Sequence, residues 1–124
     1  MKRTHLRLTR NVGQLTYLGR ALDTKRKEET FEIRLWARKI SAGESQGLVL
    51  NTQTKSGVSE ELLVQFGDEI TATANDLSIG VMLMGIESWV VPESKEYQVV
   101  PSALIRIEAP QDCKILRGNA RRKF

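Results

Sequence analysis

The chain has 124 residues, 40% of them hydrophobic, and a formal net charge of +4. That length fits one ordinary domain, and the apolar content is enough for a modest core and too much for a wholly disordered chain. The longest apolar run, Gly80 to Ile86, is far short of the ~20 residues of a spanning helix, so no helical membrane span is expected.

The first ten residues are basic and lack the apolar stretch of a secretory signal. The lone Cys113 has no second cysteine to pair with. Both features lead to the expectation of a cytoplasmic protein. One His and one Cys are too few for a structural zinc site, which takes about four ligands. No metal or cofactor is expected.

The net charge conceals a strong segregation. Residues 1–39 sum to +7, residues 40–112 to −8, and residues 113–124 to +5. A fold that brings the two ends together builds a basic face that attracts polyanions.

In chain order, the pattern is mostly β. His5 to Arg10 alternates apolar with polar, as a half-buried strand should. After Gly13, Gln14 to Leu18 is a second short strand or the continuation of a bent one. Residues 23–29 are charged and predict a loop. Phe31 to Ala37 alternates strictly and predicts a strand. Ser41 to Gly47 is loop-like, Leu48 to Leu50 apolar, and Asn51 to Gly57 again loop-like. Ser59 to Leu63 predicts a short helical turn, with Ser59 as N-cap and acids in the first turn. Gly67-Asp68-Glu69 predicts a turn, Ile70 to Ala74 a strand, and Ile79 to Ile86 a buried strand. Trp89 to Val91 and Tyr97 to Val100 flank a polar stretch, Pro92 to Glu96, that predicts a hairpin or long loop. Leu104 to Ile107 predicts a strand ending at Ala109-Pro110, and Lys114 to Arg117 a last short strand. No fixed-period repeat is visible.

Nothing in the chain points to catalysis. The nine glycines are scattered, without a phosphate-binding loop. His5 has no evident carboxylate or serine partner. Cys113 lies in a strand-like segment, where a free cysteine behaves as a small hydrophobe. Asp68-Glu69 sits where a turn needs polar residues. Trp36, Trp89, Tyr17 and Tyr97 lie in apolar patterns that suit a core better than base stacking. No catalytic residue is assigned, and an enzyme is not expected.

The two basic ends resemble a known family. Leu8-Thr9-Arg10-Asn11-Val12-Gly13-Gln14 resembles the opening Leu-Thr-Arg-Arg-x-Gly-Glu of the CsrA/RsmA carbon-storage regulators. Ile105 to Arg117, with Ala109-Pro110 at its centre, is similar to the family's C-terminal segment. Phe66-Gly67-Asp68-Glu69-Ile70 resembles the Ile-Gly-Asp-Glu-Ile that opens its second strand; an alternative alignment puts that strand at Ile79 to Ile86 and treats Asp68-Glu69 as chance. The resemblance implies a small β-barrel or sandwich of interleaved strands in a homodimer, the first strand beside the partner's last. It implies binding of single-stranded or hairpin-loop RNA with GGA motifs, and repression by blocking ribosome access. The RNA-binding residues it implies are Leu8, Thr9 and Arg10 from one chain, and Ala109, Pro110, Ile115, Leu116 and Arg117 from the other. Arg121, Arg122 and Lys123 would add sequence-independent contacts. Guanidinium groups suit this work because they pair with phosphate or a guanine edge.

The chain departs from the pattern at Asn11, where the family has Arg, and at Gly118, where it has Glu. It is about twice the family's length, so its single domain carries family-like parts at about 5–19, 66–74 and 104–118, and insertions at about 20–65 and 75–103. The first insertion is expected to extend the sheet or to cap Trp36, and could also contact a protein partner. Two other functions fit the sequence. One is a protein-interaction module that antagonises another regulator through its basic ends. The other is a structural β-domain, for example of a virus, whose unlike patches self-associate.

Overall fold

The computed structural model describes residues 2–42, 46–91 and 98–121. Among them are nine strands and one short helix. Strands β1 (Arg3–Asn11) and β2 (Gln14–Gly19) are followed by α1 (Lys27–Thr30), β3 (Ile33–Ser41), β4 (Gly47–Thr54) and β5 (Ser59–Gln65). Strands β6 (Glu69–Ala74), β7 (Leu77–Val91), β8 (Gln98–Pro110) and β9 (Lys114–Arg121) complete the order.

They form two antiparallel sheets, one of order β1-β8-β7-β6 and the other β5-β4-β3-β2-β9. One apolar cluster joins the sheets and includes Leu8, Ile79, Leu83 and Ile105 from the first and Leu18, Ile33, Leu35 and Leu50 from the second. The all-β class expected from alternation is therefore observed, as two stacked sheets.

Several local expectations are corrected. Ser59 to Leu63 is not helical; it lies in β5, whose Leu62 and Val64 stand opposite Leu50 and Leu48. Burial of Val64 against β4 overrides the capping signal. Asn51 to Thr54 continues β4 instead of forming a loop, because Thr52 is buried opposite Leu35. Residues 27–30 form α1, and Phe31 caps it, so β3 starts later, at Ile33. The polar stretch Pro92 to Glu96 lies outside the described residues.

The segment between β2 and β3 caps one outer face. Leu22 and Phe31 pack there with Leu15, Tyr17 and Trp36 in a second apolar cluster. Trp36 is thus covered, 7% exposed.

The sequence shows no periodic repeat, yet the backbone is duplicated. In the first half, β2 pairs β3 with Thr16 opposite Leu35 and Leu18 opposite Ile33. In the second, β6 pairs β7 with Ile70 opposite Val81 and Ala72 opposite Ile79. The amide of Gly13 donates to the Ala37 carbonyl at 2.9 Å, and that of Gly67 to the Leu83 carbonyl at 3.0 Å. A register shift follows each acceptor, between Ala37 and Lys39 and between Leu83 and Gly85. Gly13 and Gly67 carry φ of 84° and 83°, a conformation glycine adopts without steric cost.

The halves also exchange strands. β1 leaves its own half and pairs β8, with Leu8 opposite Ile105 and Asn11 opposite Ser102. β5 does the reciprocal, pairing β4 with Leu62 opposite Leu50 and Gln65 opposite Gly47. The exchange thus ties together the two halves of one chain.

Candidate nucleic-acid interface

The basic ends meet, but not as a β1–β9 pair. β1 pairs β8, and β9 pairs β2. The chain passes from β1 to β2 at Val12-Gly13 and from β8 to β9 at residues 111–113, so both strand pairs cross between sheets together. Arg3 stands opposite Pro110, and the Gln111 amide donates to the Lys2 carbonyl at 3.2 Å. Within one chain, then, the first and last strands are not adjacent. β8 takes the place beside β1 because Leu6, Leu8 and Arg10 match Ile107, Ile105 and Ala103 in register.

Each residue implied by the resemblance has a definite place. Leu8 and Ala109 are core residues, 2% and 0% exposed, so their side chains cannot meet a ligand. Thr9 and Arg117 are exposed, and Pro110, Ile115 and Leu116 are half-buried. Arg121 ends β9 opposite Gln14, while Arg122 and Lys123 lie outside the described residues.

Arg10 is the unusual one. It is only 8% exposed, yet its guanidinium meets carbonyls alone: Nη1 donates to Leu15 O at 3.0 Å and Nε to Thr9 O at 3.1 Å. Burial pushes its pKa below the ordinary arginine value, and the charge of Arg117 pushes it further down. Among the described residues no carboxylate neutralises either arginine. A buried cation beside a second cation is electrostatically unsatisfied, and an anion relieves both.

Further cations border this pair. The Lys27 Nζ donates to the Arg117 carbonyl at 3.0 Å. A groove of about 390 Å³ runs beside it, lined by Tyr17, Gly118, the cations Lys25, Arg26 and Lys27 and the acids Glu28 and Glu29, of which Glu29 pairs with Arg26. The sequence signalled residues 23–29 only as a charged loop; their contact with β9 needed the fold. On the outer face of β1, Arg7 stands opposite Arg106.

Gly118, one departure from the family pattern, has a physical reason. A Cβ at this position would lie 2.8 Å from Tyr17 Cε2 and 3.0 Å from Leu15 O. The family's Glu therefore has no room beside the Tyr17 ring. Asn11, the other departure, is tied down: its backbone N–H donates to Gln14 Oε1 at 2.7 Å, and its side-chain Oδ1 accepts from Ser102 Oγ.

Cys113 is buried, and burial raises its thiol pKa, which suits a packing role. Comparison with protein-family models, curated proteins and solved structures found no match to this chain.

Proposed function

We propose that this protein is an RNA-binding post-transcriptional regulator of CsrA/RsmA type. It acts in the cytoplasm on single-stranded or hairpin-loop GGA motifs in message leaders and represses by occluding the ribosome site, without chemistry. The observation that carries the reading is the Arg10–Arg117 juxtaposition. The two arginines that the family resemblance assigns to RNA lie within electrostatic reach of each other, and no carboxylate neutralises them among the described residues. Two neighbouring guanidinium groups, Arg10 held by carbonyls and Arg117 exposed, favour a phosphate or a guanine edge over a single positive charge. Exposed main chain at the β9 edge suits recognition of splayed loop bases.

The strand exchange within the chain gives this reading a stoichiometry. The second half repeats the backbone of the first, but Glu61 stands where the first half has Arg7, and Val64 where it has Arg10. One basic edge per chain implies one RNA motif per chain, and a homodimer would carry two.

The test is a titration of a GGA hairpin against its CCA variant by electrophoretic shift. The expected result is a tight complex of one hairpin per chain with GGA and a weak one with CCA. Equal affinity for both sequences would instead favour the protein-interaction role for the basic edge. Salt-soluble higher oligomers without RNA affinity would favour the structural β-domain.

A further inference from the structure

The duplicated backbone leaves one place unfilled. β2 lies between β3 and β9, whereas its counterpart β6 is paired with β7 alone. Where the second half turns at residues 111–113 into β9, the first half turns at residues 55–58 directly into β5. The outer edge of β6 therefore carries main-chain N–H and C=O groups with no strand beside them among the described residues. Such an edge is a template for another strand. It is also unguarded. Glu69–Ala74 contains no Lys, Arg or Pro, and Thr71 and Thr73 are exposed. β1, at the other edge of the same sheet, carries Arg3, His5 and Arg7. A groove of about 430 Å³ opens at the C-terminal end of β6, bounded by Thr73, Ala74 and Asn75 on one side and Lys55, Ser56 and Val58 on the other.

We infer that the β6 edge is a docking site for an extended cationic segment of a partner protein, added as a strand in the way β9 is added to β2. Charge selects this occupant. β6 begins at Glu69, with Asp68 before it and Asp76 after it, and the preceding β5 carries exposed Glu60 and Glu61, the latter paired with Arg38. Glu69 and Asp76 each hold one ion pair and keep exposed surface, Glu69 with its carboxylate turned over Gly80 of β7 and Asp76 the more open of the two. Glu69 meets Arg106 at 3.4 Å with 41% of its side chain exposed, and Asp76 meets Arg20 with 78% exposed. The strand in the equivalent place reads Lys114-Ile115-Leu116-Arg117, with cations at both ends and apolar residues between. Its register on β2 sets Lys114 opposite Gly19 and Ile115 opposite Leu18. Carried to β6, that register puts an apolar residue opposite Ala72 and a cation at each end, toward Asp76 and Glu69. A second copy docking through its own acidic edge would bring like charges together, and RNA would be repelled for the same reason.

The test uses the full chain and a fluorescent synthetic peptide with the sequence of residues 114–121. Saturable one-to-one binding is expected in fluorescence anisotropy, with amide NMR shifts at Ile70 to Ala74. Thr73→Lys, at an exposed position that does not disturb the core, should weaken binding at least about five-fold by placing a cation on the edge. A peptide N-methylated at alternate residues should not bind, because it cannot form the ladder. The proposal is overturned by shifts at β1, β2 or β9 instead of β6, by equal binding of the N-methylated peptide, or by full affinity in Thr73→Lys. It is also overturned if a peptide with Glu in place of its Lys and Arg binds equally well. None of these outcomes depends on RNA binding, so the two proposals fail separately.

Discussion

The charge of Arg117 bears directly on Arg10, which is buried, hydrogen-bonded only to carbonyls, and depressed in pKa by both its burial and that neighbour. The residues are far apart in sequence and meet because β1 runs into β2, and β2 carries β9. Like charges held together by the fold cost stability in the free protein and favour an anionic ligand.

Arg117→Ala should therefore weaken binding of a GGA hairpin strongly. Loss of a charge-assisted contact costs about 1.5–3 kcal/mol, roughly ten- to a hundredfold in affinity. The side chain is exposed, so melting should shift little. Unchanged affinity in an electrophoretic shift would remove the basis of the RNA reading.

Replacing Arg121, Arg122 and Lys123 together by Ala should act differently. Contacts to single-strand phosphates contribute a salt slope of about 0.7 each, so the slope of log affinity against log salt should fall by roughly 2. Discrimination between GGA and CCA should persist. Filter binding across a salt series measures both.

Gly118→Ala connects packing to the site. The added Cβ would meet Tyr17 and the Leu15 carbonyl, neither of which can retreat from the buried cluster. We expect a loss of about 1–3 kcal/mol in stability from overpacking, and weaker RNA binding because β9 shifts and takes Arg117 with it. Denaturant melts and the same hairpin titration would detect the two effects. A variant with wild-type stability would show that β9 gives way freely.

Gly67→Ala isolates a backbone effect. No atom lies within 4 Å of the added Cβ, so its cost is that of the left-handed conformation, about 1–2 kcal/mol. Gly67→Asn should cost less, since Asn tolerates this region. Matching losses for Gly13→Ala and Gly67→Ala would reflect the equivalence of the two turns. Urea unfolding gives the comparison.

Stability should also respond to acid through Glu32. Its Oε2 accepts from the Arg20 amide at 2.6 Å, and the Arg20 guanidinium holds its pKa below the ordinary value. A carboxyl with a depressed folded pKa contributes stability above its unfolded pKa of about 4.3, and that contribution disappears as pH falls through the lowered folded value. Glu32→Gln should cost about 1 kcal/mol at pH 7 and flatten the fall in melting temperature below about pH 4. A variant that keeps the wild-type acid limb would assign that limb to other groups.

Much of the fold was legible in the residues themselves. Alternation at His5 to Arg10, Phe31 to Ala37 and Leu104 to Ile107 encodes strands, because period two puts apolar side chains on one face whatever the strand's partner. The segregation of charge into basic ends and an acidic middle is likewise a property of the sequence. So is the motif match that directs attention to Arg10 and Arg117. Partner choice was not legible. Ser59 to Leu63 reads as a helix start until Leu62 and Val64 find Leu50 and Leu48, and β1 pairs β8 through contacts between opposite ends of the chain. The duplication was hidden for a related reason. Strand register, bulge and turn are repeated in the main chain, while equivalent positions such as Arg10 and Val64, or Arg7 and Glu61, carry unlike side chains. Hydrogen-bond ladders tolerate almost any side chain that suits its face, so two unlike sequences reach one backbone. Only the tertiary structure could then decide that one half keeps a basic edge completed by β9, and the other an acidic edge left open.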